Sequence, residues 1–295
     1  PRPPTWIKPR TTSCPKVLRA LPVSTTTRPV TQLADTAVKS ASTNLRWATV
    51  DAAGNIYLVT EEADIAIKGL GSSGGILWSW KLPQTDCLLP ATPHVYGPVI
   101  DSSSDRLMVS VCGNIHALSL GTGQELWSYS MTSGTGWKWS KIISLGDNTA
   151  VAVHEGFGMH GRLLMFDRDG VLSWMQPLDY VRSLLSDGSA LFAASCDTGM
   201  VIVSAYSLDG NQLWERHLET VPCGNESIDE IPMSLGLVGE IYLLHGHQAI
   251  TLNRDGTMHS IVQGDFASQA SSSIIIGSRG KALLQESSGD IYSIS

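Results

Sequence analysis

A glycine followed four residues later by a tryptophan recurs along this chain at nearly constant spacing, and no other feature restricts the fold so much. The pairs are Gly74/Trp78, Gly123/Trp127, Gly170/Trp174 and Gly210/Trp214, and Gly256 is followed by Ser260 in the tryptophan position. The steps between these glycines are 49, 47, 40 and 46 residues. Around each pair an alternating run turns at a short Gly/Asp/Ser segment and resumes as a second alternating run. Residues 115–127 show this best, with the turn at Gly121-Thr122-Gly123. Such a pattern specifies a β-hairpin whose glycine supplies the positive φ that tight turns require.

A second marker runs independently of the first. Short apolar strands follow small polar turns and begin near Asn55, Arg106, Thr149, Ala190, Glu240 and Lys281. Each is preceded by another strand, at residues 45–50, 95–100, 141–145, 181–185, 231–237 and 272–276. Four strands in about 45 residues is the period of a propeller blade. The expected fold is all-β, a propeller of six four-stranded blades, with seven as the alternative. No helical periodicity separates the strands, so a parallel α/β sheet has no crossovers to build it. Nine Trp against four Phe fits one structural slot reused in blade after blade.

The propeller domain spans residues 45–295. Residues 1–44 are rich in proline and free of glycine, with a run at Thr25-Thr26-Thr27. They read as an extended arm with room for one short helix at residues 31–41. The sixth unit ends on its third strand, at residues 290–295, which leaves the ring one outer strand short. An unpaired edge at the closure is unfavourable, so the arm is expected to supply that strand. Residues 15–23 (Pro-Lys-Val-Leu-Arg-Ala-Leu-Pro-Val) are the preferred segment. Trp6, in Thr5-Trp6-Ile7, competes but lies farther from the first inner strand, and long structureless connections are uncommon. The Pro-Arg-Pro-Pro start without Met is expected of a processed or trimmed product.

Composition removes several function classes. The net charge of −7 and the lack of a basic run argue against a nucleic-acid surface. No apolar stretch reaches the length of a membrane-spanning helix. Gly-x-Ser-x-Gly, His-Glu-x-x-His and phosphate-loop motifs are all missing. Asp167-Arg168-Asp169 and Asp255-Gly256 resemble pieces of calcium loops, but lack the later Glu and fall on hairpin turns, whose chemistry explains them better.

The segments 114–127 (Asn-Ile-His-Ala-Leu-Ser-Leu-Gly-Thr-Gly-Gln-Glu-Leu-Trp), 203–214 and 161–174 resemble the repeat of the pyrroloquinoline-quinone-type (PQQ-like) propeller superfamily, a WD40-like architecture. The resemblance covers residues 45–295. It implies a fold but not a reaction, because the superfamily holds quinoprotein dehydrogenases as well as non-catalytic scaffolds. Among the scaffolds are the propeller lipoprotein of the outer-membrane barrel-assembly machinery and the lumenal sensing domains of unfolded-protein kinases. The dehydrogenases of the family carry two adjacent cysteines under the quinone; here no two cysteines are adjacent. The resemblance therefore points to the non-catalytic branch.

Strand order sorts the loops. Turns between strands 1 and 2 and between strands 3 and 4 of each blade share one face and are uniformly tight. Turns between strands 2 and 3, together with the connectors between blades, share the other. That second face carries the irregular segments 83–92, 131–137, 154–161, 195–200, 219–229 and 245–247. Variable loops on a rigid scaffold are where recognition resides, so this face is the expected binding surface. Four cysteines map to it in two similar pairs, and in an oxidising compartment Cys87–Cys112 and Cys196–Cys223 are the expected bridges. The alternative is four buried thiols in a reducing compartment. Cys14 stands alone in the arm, and Asn225-Glu226-Ser227 is a glycosylation candidate. His154, His160, His245 and His247 are expected in strand 2–3 turns of adjacent blades and are candidate metal ligands, polar loop histidines being the plainer reading. Trp78, Trp127, Trp174 and Trp214 are assigned to packing between blades.

The leading function is a non-catalytic protein-interaction scaffold, an accessory or structural subunit of an extracytoplasmic (periplasmic, secreted or organelle-lumenal) assembly. It needs no cofactor, and it engages other protein subunits through the loop-rich face and the arm. The runner-up is an oxidoreductase holding PQQ or a divalent metal in the central channel.

Overall fold

The computed structural model describes residues 45–61, 65–82, 95–101, 105–111, 114–130, 137–155, 161–178, 180–197, 199–222, 231–245, 248–263, 273–276, 282–285 and 291–294. Among them six antiparallel sheets form, five of four strands and one of three. The first is β1 (Leu45–Val50), β2 (Ile56–Glu61), β3 (Ile65–Leu70) and β4 (Ile76–Lys81). The second is β5 (Val95–Asp101), β6 (Arg106–Val111), β7 (Asn114–Ser119) and β8 (Glu125–Ser130). The third is β9 (Trp137–Leu145), β10 (Asn148–Glu155), β11 (Gly161–Phe166) and β12 (Leu172–Pro177). The fourth is β13 (Val181–Ser186), β14 (Ala190–Asp197), β15 (Met200–Ser207) and β16 (Gln212–Pro222). The fifth is β17 (Met233–Leu235), β18 (Ile241–His245), β19 (Gln248–Leu252) and β20 (Met258–Gln263). The sixth is β21 (Ser273–Ile276), β22 (Ala282–Gln285) and β23 (Ile291–Ile294). The strands within each sheet are neighbours in chain order, the meander of a propeller blade.

First strands of consecutive sheets lie against one another: β1 on β5, β5 on β9, β9 on β13, β13 on β17 and β17 on β21. The sheets therefore follow one another around an axis with β1-type strands innermost. Buried apolar side chains sort into layers between consecutive blades. Tyr57, Val59 and Ile67 of the first blade meet Leu107, Val109 and Leu118 of the second. Met108, Ile115 and Ala117 then meet Val151, Leu164 and Phe166. Leu163 and Met165 meet Leu191 and Tyr206, and Phe192, Val201 and Val203 meet Ile241, Leu243 and Ile250. Both faces of each sheet are covered, so the second strands read as continuous apolar runs; β6 is buried throughout and β14 along all but its last residue. At about 25 cal/mol per Å² of apolar surface, this inter-blade burial is the main source of stability.

Outer strands alternate instead, as β12 and β20 show, because one side packs on the next blade and the other meets solvent. Every four-stranded sheet carries a β-bulge at the same place. Gly69 pairs with Trp78 but Leu70 with Ile76, which leaves Leu77 unpaired. Leu126, Ser173, Leu213 and His259 are bulged in the same way. A bulge sharpens the local twist, and here it turns the next side chain, tryptophan in four blades, toward the following blade. It also leaves Leu77, Leu126 and Leu213 exposed.

Some sequence expectations need correction. Cys196 lies within β14 and not in a turn, since that strand continues to Asp197 and its hairpin with β15 is tight. Residues 219–222 belong to β16, and Trp137 already opens β9. In each case ladder pairing continues farther than apolar alternation suggests. Residues 1–44, with Trp6, Cys14, the 15–23 segment and the 31–41 helix, lie outside the described residues.

Candidate interaction faces

The tight-turn face is built from the Gly/Trp pairs. Each indole leaves its own outer strand and lies over the turn glycine of the next blade. A Cβ on Gly123 would stand 2.4 Å from the Trp78 ring, and one on Gly170 2.4 Å from Trp127. The same Cβ on Gly210 would meet Trp174 at 2.8 Å, and on Gly256 Trp214 at 2.7 Å. All four glycines have φ between 68° and 86°. Glycine is required twice over, by conformation and by the ring above it. Each indole Nε1–H then donates to a carbonyl in that same turn: Trp78 to Leu120 at 2.7 Å, Trp127 to Arg168 at 3.0 Å, Trp174 to Leu208 at 2.8 Å and Trp214 to Arg254 at 2.9 Å.

Two arginines join blades on the same face, and sequence reading missed both. Arg106 is buried at the start of β6 and pairs with buried Asp101 at 2.5 Å. Its other nitrogen donates to the Arg168 carbonyl at 2.6 Å, the acceptor that Trp127 also uses. A guanidinium excluded from water is tolerable only with such partners around it. On the fourth and fifth blades, Arg254 Nε donates to Asp187 at 2.6 Å and Nη2 to Ser189 at 2.5 Å. Burial alone would raise the Asp187 pKa; the Arg254 contact and hydrogen bonds from Ser189 and Ala190 outweigh it and bring the group down to about 2. The only sequence signal for either clasp is an Asp at a strand 1–2 turn, which turn chemistry already accounts for.

The opposite strand ends carry two of the expected histidines. His154 lies within β10, opposite Gly161 and Lys138 and one residue before its end, and not in a turn as expected; His245 ends β18, opposite Gln248. These histidines belong to the third and fifth blades with the fourth between them, so the expectation of adjacent blades fails. His160 and His247 lie outside the described residues, among which no three His, Cys, Asp or Glu side chains are grouped as metal ligands would be. Cys196 is buried near the end of β14, and its partner across the ladder is Val201. Cys87, Cys112, Cys223 and Asn225 also lie outside the described residues. Among those described, no helix is long and apolar enough to cross a membrane.

The family described as outer membrane protein assembly factor BamB matches residues 111–264, just over half of the chain. The fold is similar to the crystal structure of BamB from Moraxella catarrhalis, with a TM-score of 0.57 and 17% identity over 86% of this chain and 72% of that one. It is also similar to the WD40 domain of SCAP from fission yeast, with a TM-score of 0.54 and 11% identity over 85% and 69% of the two chains. A third structure, BBS1N in complex with ARL6DN, gives 0.52 and 14% over 84% and 77%. At these identities the structural likeness speaks for the β-propeller fold alone. Among curated proteins none matches the chain.

Proposed function

We infer a non-catalytic protein-interaction scaffold from one premise: the chain belongs to the PQQ-like repeat β-propeller family described as outer membrane protein assembly factor BamB. It acts as an accessory or structural subunit of an extracytoplasmic or lumenal assembly, and its partners are other protein subunits. The family match carries this reading. The geometry supports it, because indoles, arginines and aspartates of the tight-turn face are engaged in joining one blade to the next. Recognition then falls to the opposite face, where segments 83–92, 131–136 and 223–229 connect a rigid ring. The proline- and threonine-rich arm, residues 1–44, adds a second contact.

A Cys196–Cys223 bridge belongs to the same reading and fixes one connector of that face. In its support, Cys196 is buried one residue before the end of β14. Pro222, one residue before Cys223, pairs with Met200 at the strand end that Cys196 occupies. Such a bridge persists in an oxidising compartment. Peptide mapping without reductant tests it: a 196–223 linked peptide is expected, and an alkylated Cys223 contradicts it. The function itself is tested by isolating the intact protein from its native source after mild cross-linking. A stoichiometric complex with one or a few membrane-associated proteins is expected. A monomer that carries a quinone chromophore or a bound metal overturns the reading.

A further inference from the structure

The methionines of this chain differ sharply in their access to solvent. Met108 and Met165 are fully buried, and Met200, Met233 and Met258 are partly covered. Met175 is 44% exposed, the most open of the methionines among the described residues. It stands on β12, the outer strand of the third blade, opposite Leu164 of β11. That places it on the rim of the propeller, between the two sets of turns.

Water is not the only neighbour of its sulfur. Arg162, across from Pro177 on β11, donates Nη1–H to Met175 Sδ at 3.4 Å. A thioether is a weak acceptor, so the contact contributes little as it stands. Oxidation would change that. A sulfoxide oxygen is a far better acceptor, and a hydrogen bond from a charged guanidinium is about twice as strong as one between neutral groups.

We propose that Met175 is a site of reversible oxidation, with a peroxide as the oxidant and Arg162 as the residue that holds the product. A sulfur lone pair attacks one oxygen of hydrogen peroxide, and the S–O bond forms as the O–O bond breaks. Sulfur loses two electrons and the peroxide gains them. The departing hydroxide takes the proton of the transferred oxygen and leaves as water. The sulfoxide oxygen then accepts from the Arg162 guanidinium. An exposed apolar side chain thus becomes a polar one fixed to the neighbouring strand. A methionine sulfoxide reductase reverses the change: a dithiol supplies two electrons, becomes a disulfide, and the oxygen departs as water. Met108 and Met165 stay reduced, because burial keeps the oxidant from their sulfurs.

The test treats the full chain with hydrogen peroxide and maps its peptides over time by mass spectrometry. Met175 is expected to oxidise at least about 5-fold faster than Met200, Met233 or Met258, with Met108 and Met165 slower still. Phenylglyoxal labelling reads the arginine in the same samples. Arg162 is expected to label about 3-fold more slowly once Met175 is oxidised. In Met175→Leu, peroxide is expected to leave that labelling unchanged. Sulfoxide reductase with dithiothreitol is expected to restore both the mass and the labelling rate of the parent. Oxidation of Met200, Met233 or Met258 as fast as Met175 overturns the proposal. So does Arg162 labelling that ignores the sulfoxide, or a sulfoxide that the reductase leaves in place.

Discussion

Gly170 and Gly188 offer a matched pair for measuring what indole docking contributes. Their φ values are 81° and 84°, so an alanine at either site meets the same left-handed strain, about 1–2 kcal/mol. Their surroundings differ completely. A Cβ at Gly188 has nothing within 4 Å, whereas at Gly170 it would lie 2.4 Å from Trp127 Cδ2 and 2.6 Å from Cγ. Gly170→Ala must therefore displace the indole. The loss includes its hydrogen bond to the Arg168 carbonyl, about 1 kcal/mol, and its stack on Phe166 at 5.8 Å, about 0.5–1.5 kcal/mol. Gly170→Ala is expected to be about 2 kcal/mol worse than Gly188→Ala by urea denaturation, or about 4–8 °C lower in Tm. Equal destabilisation of the two variants would refute the claim that docked indoles hold the blades together.

Removing Arg106 strands a buried carboxylate, so Arg106→Met is expected to cost about 3–5 kcal/mol, and adding Asp101→Leu is expected to restore part of it; the double-mutant cycle read by chemical denaturation checks this. Asp187 has its folded-state pKa depressed to about 2, so its contacts stabilise fully above the ordinary carboxylate value and are lost as pH falls from about 4 toward 2. With Arg254 half exposed, solvent screening limits the effect to about 1 kcal/mol. Comparing the parent with Asp187→Asn over that window, the parent is expected to lose its advantage by pH 2. Trp78→Phe keeps an aromatic ring over Gly123 but leaves the Leu120 carbonyl without its indole donor, with about 1–2 kcal/mol lost on unfolding.

The blade pattern was legible in the sequence because two periodic signals, the Gly/Trp pairs and the apolar second strands, agree on one repeat. What the sequence could not convey was geometry across blades. Leu126 and Leu213 look like ordinary apolar strand residues, yet they are exposed bulges, because register depends on the neighbouring strand. Arg106 begins a strand like any surface arginine and is buried only because the third blade encloses it. His154 and His245 were placed on adjacent blades when one blade separates them, since spacing along a chain does not state angle around a ring.

The central claim is that one face joins the blades and the opposite face meets a protein partner. Hydrogen–deuterium exchange on the chain alone and in its native assembly tests it most directly. Protection on assembly is expected in peptides that hold residues 83–92, 131–136 and 223–229, with the turns at 71–75, 121–124 and 167–171 unchanged. Protection confined to those tight turns, or none on either face, would contradict the account.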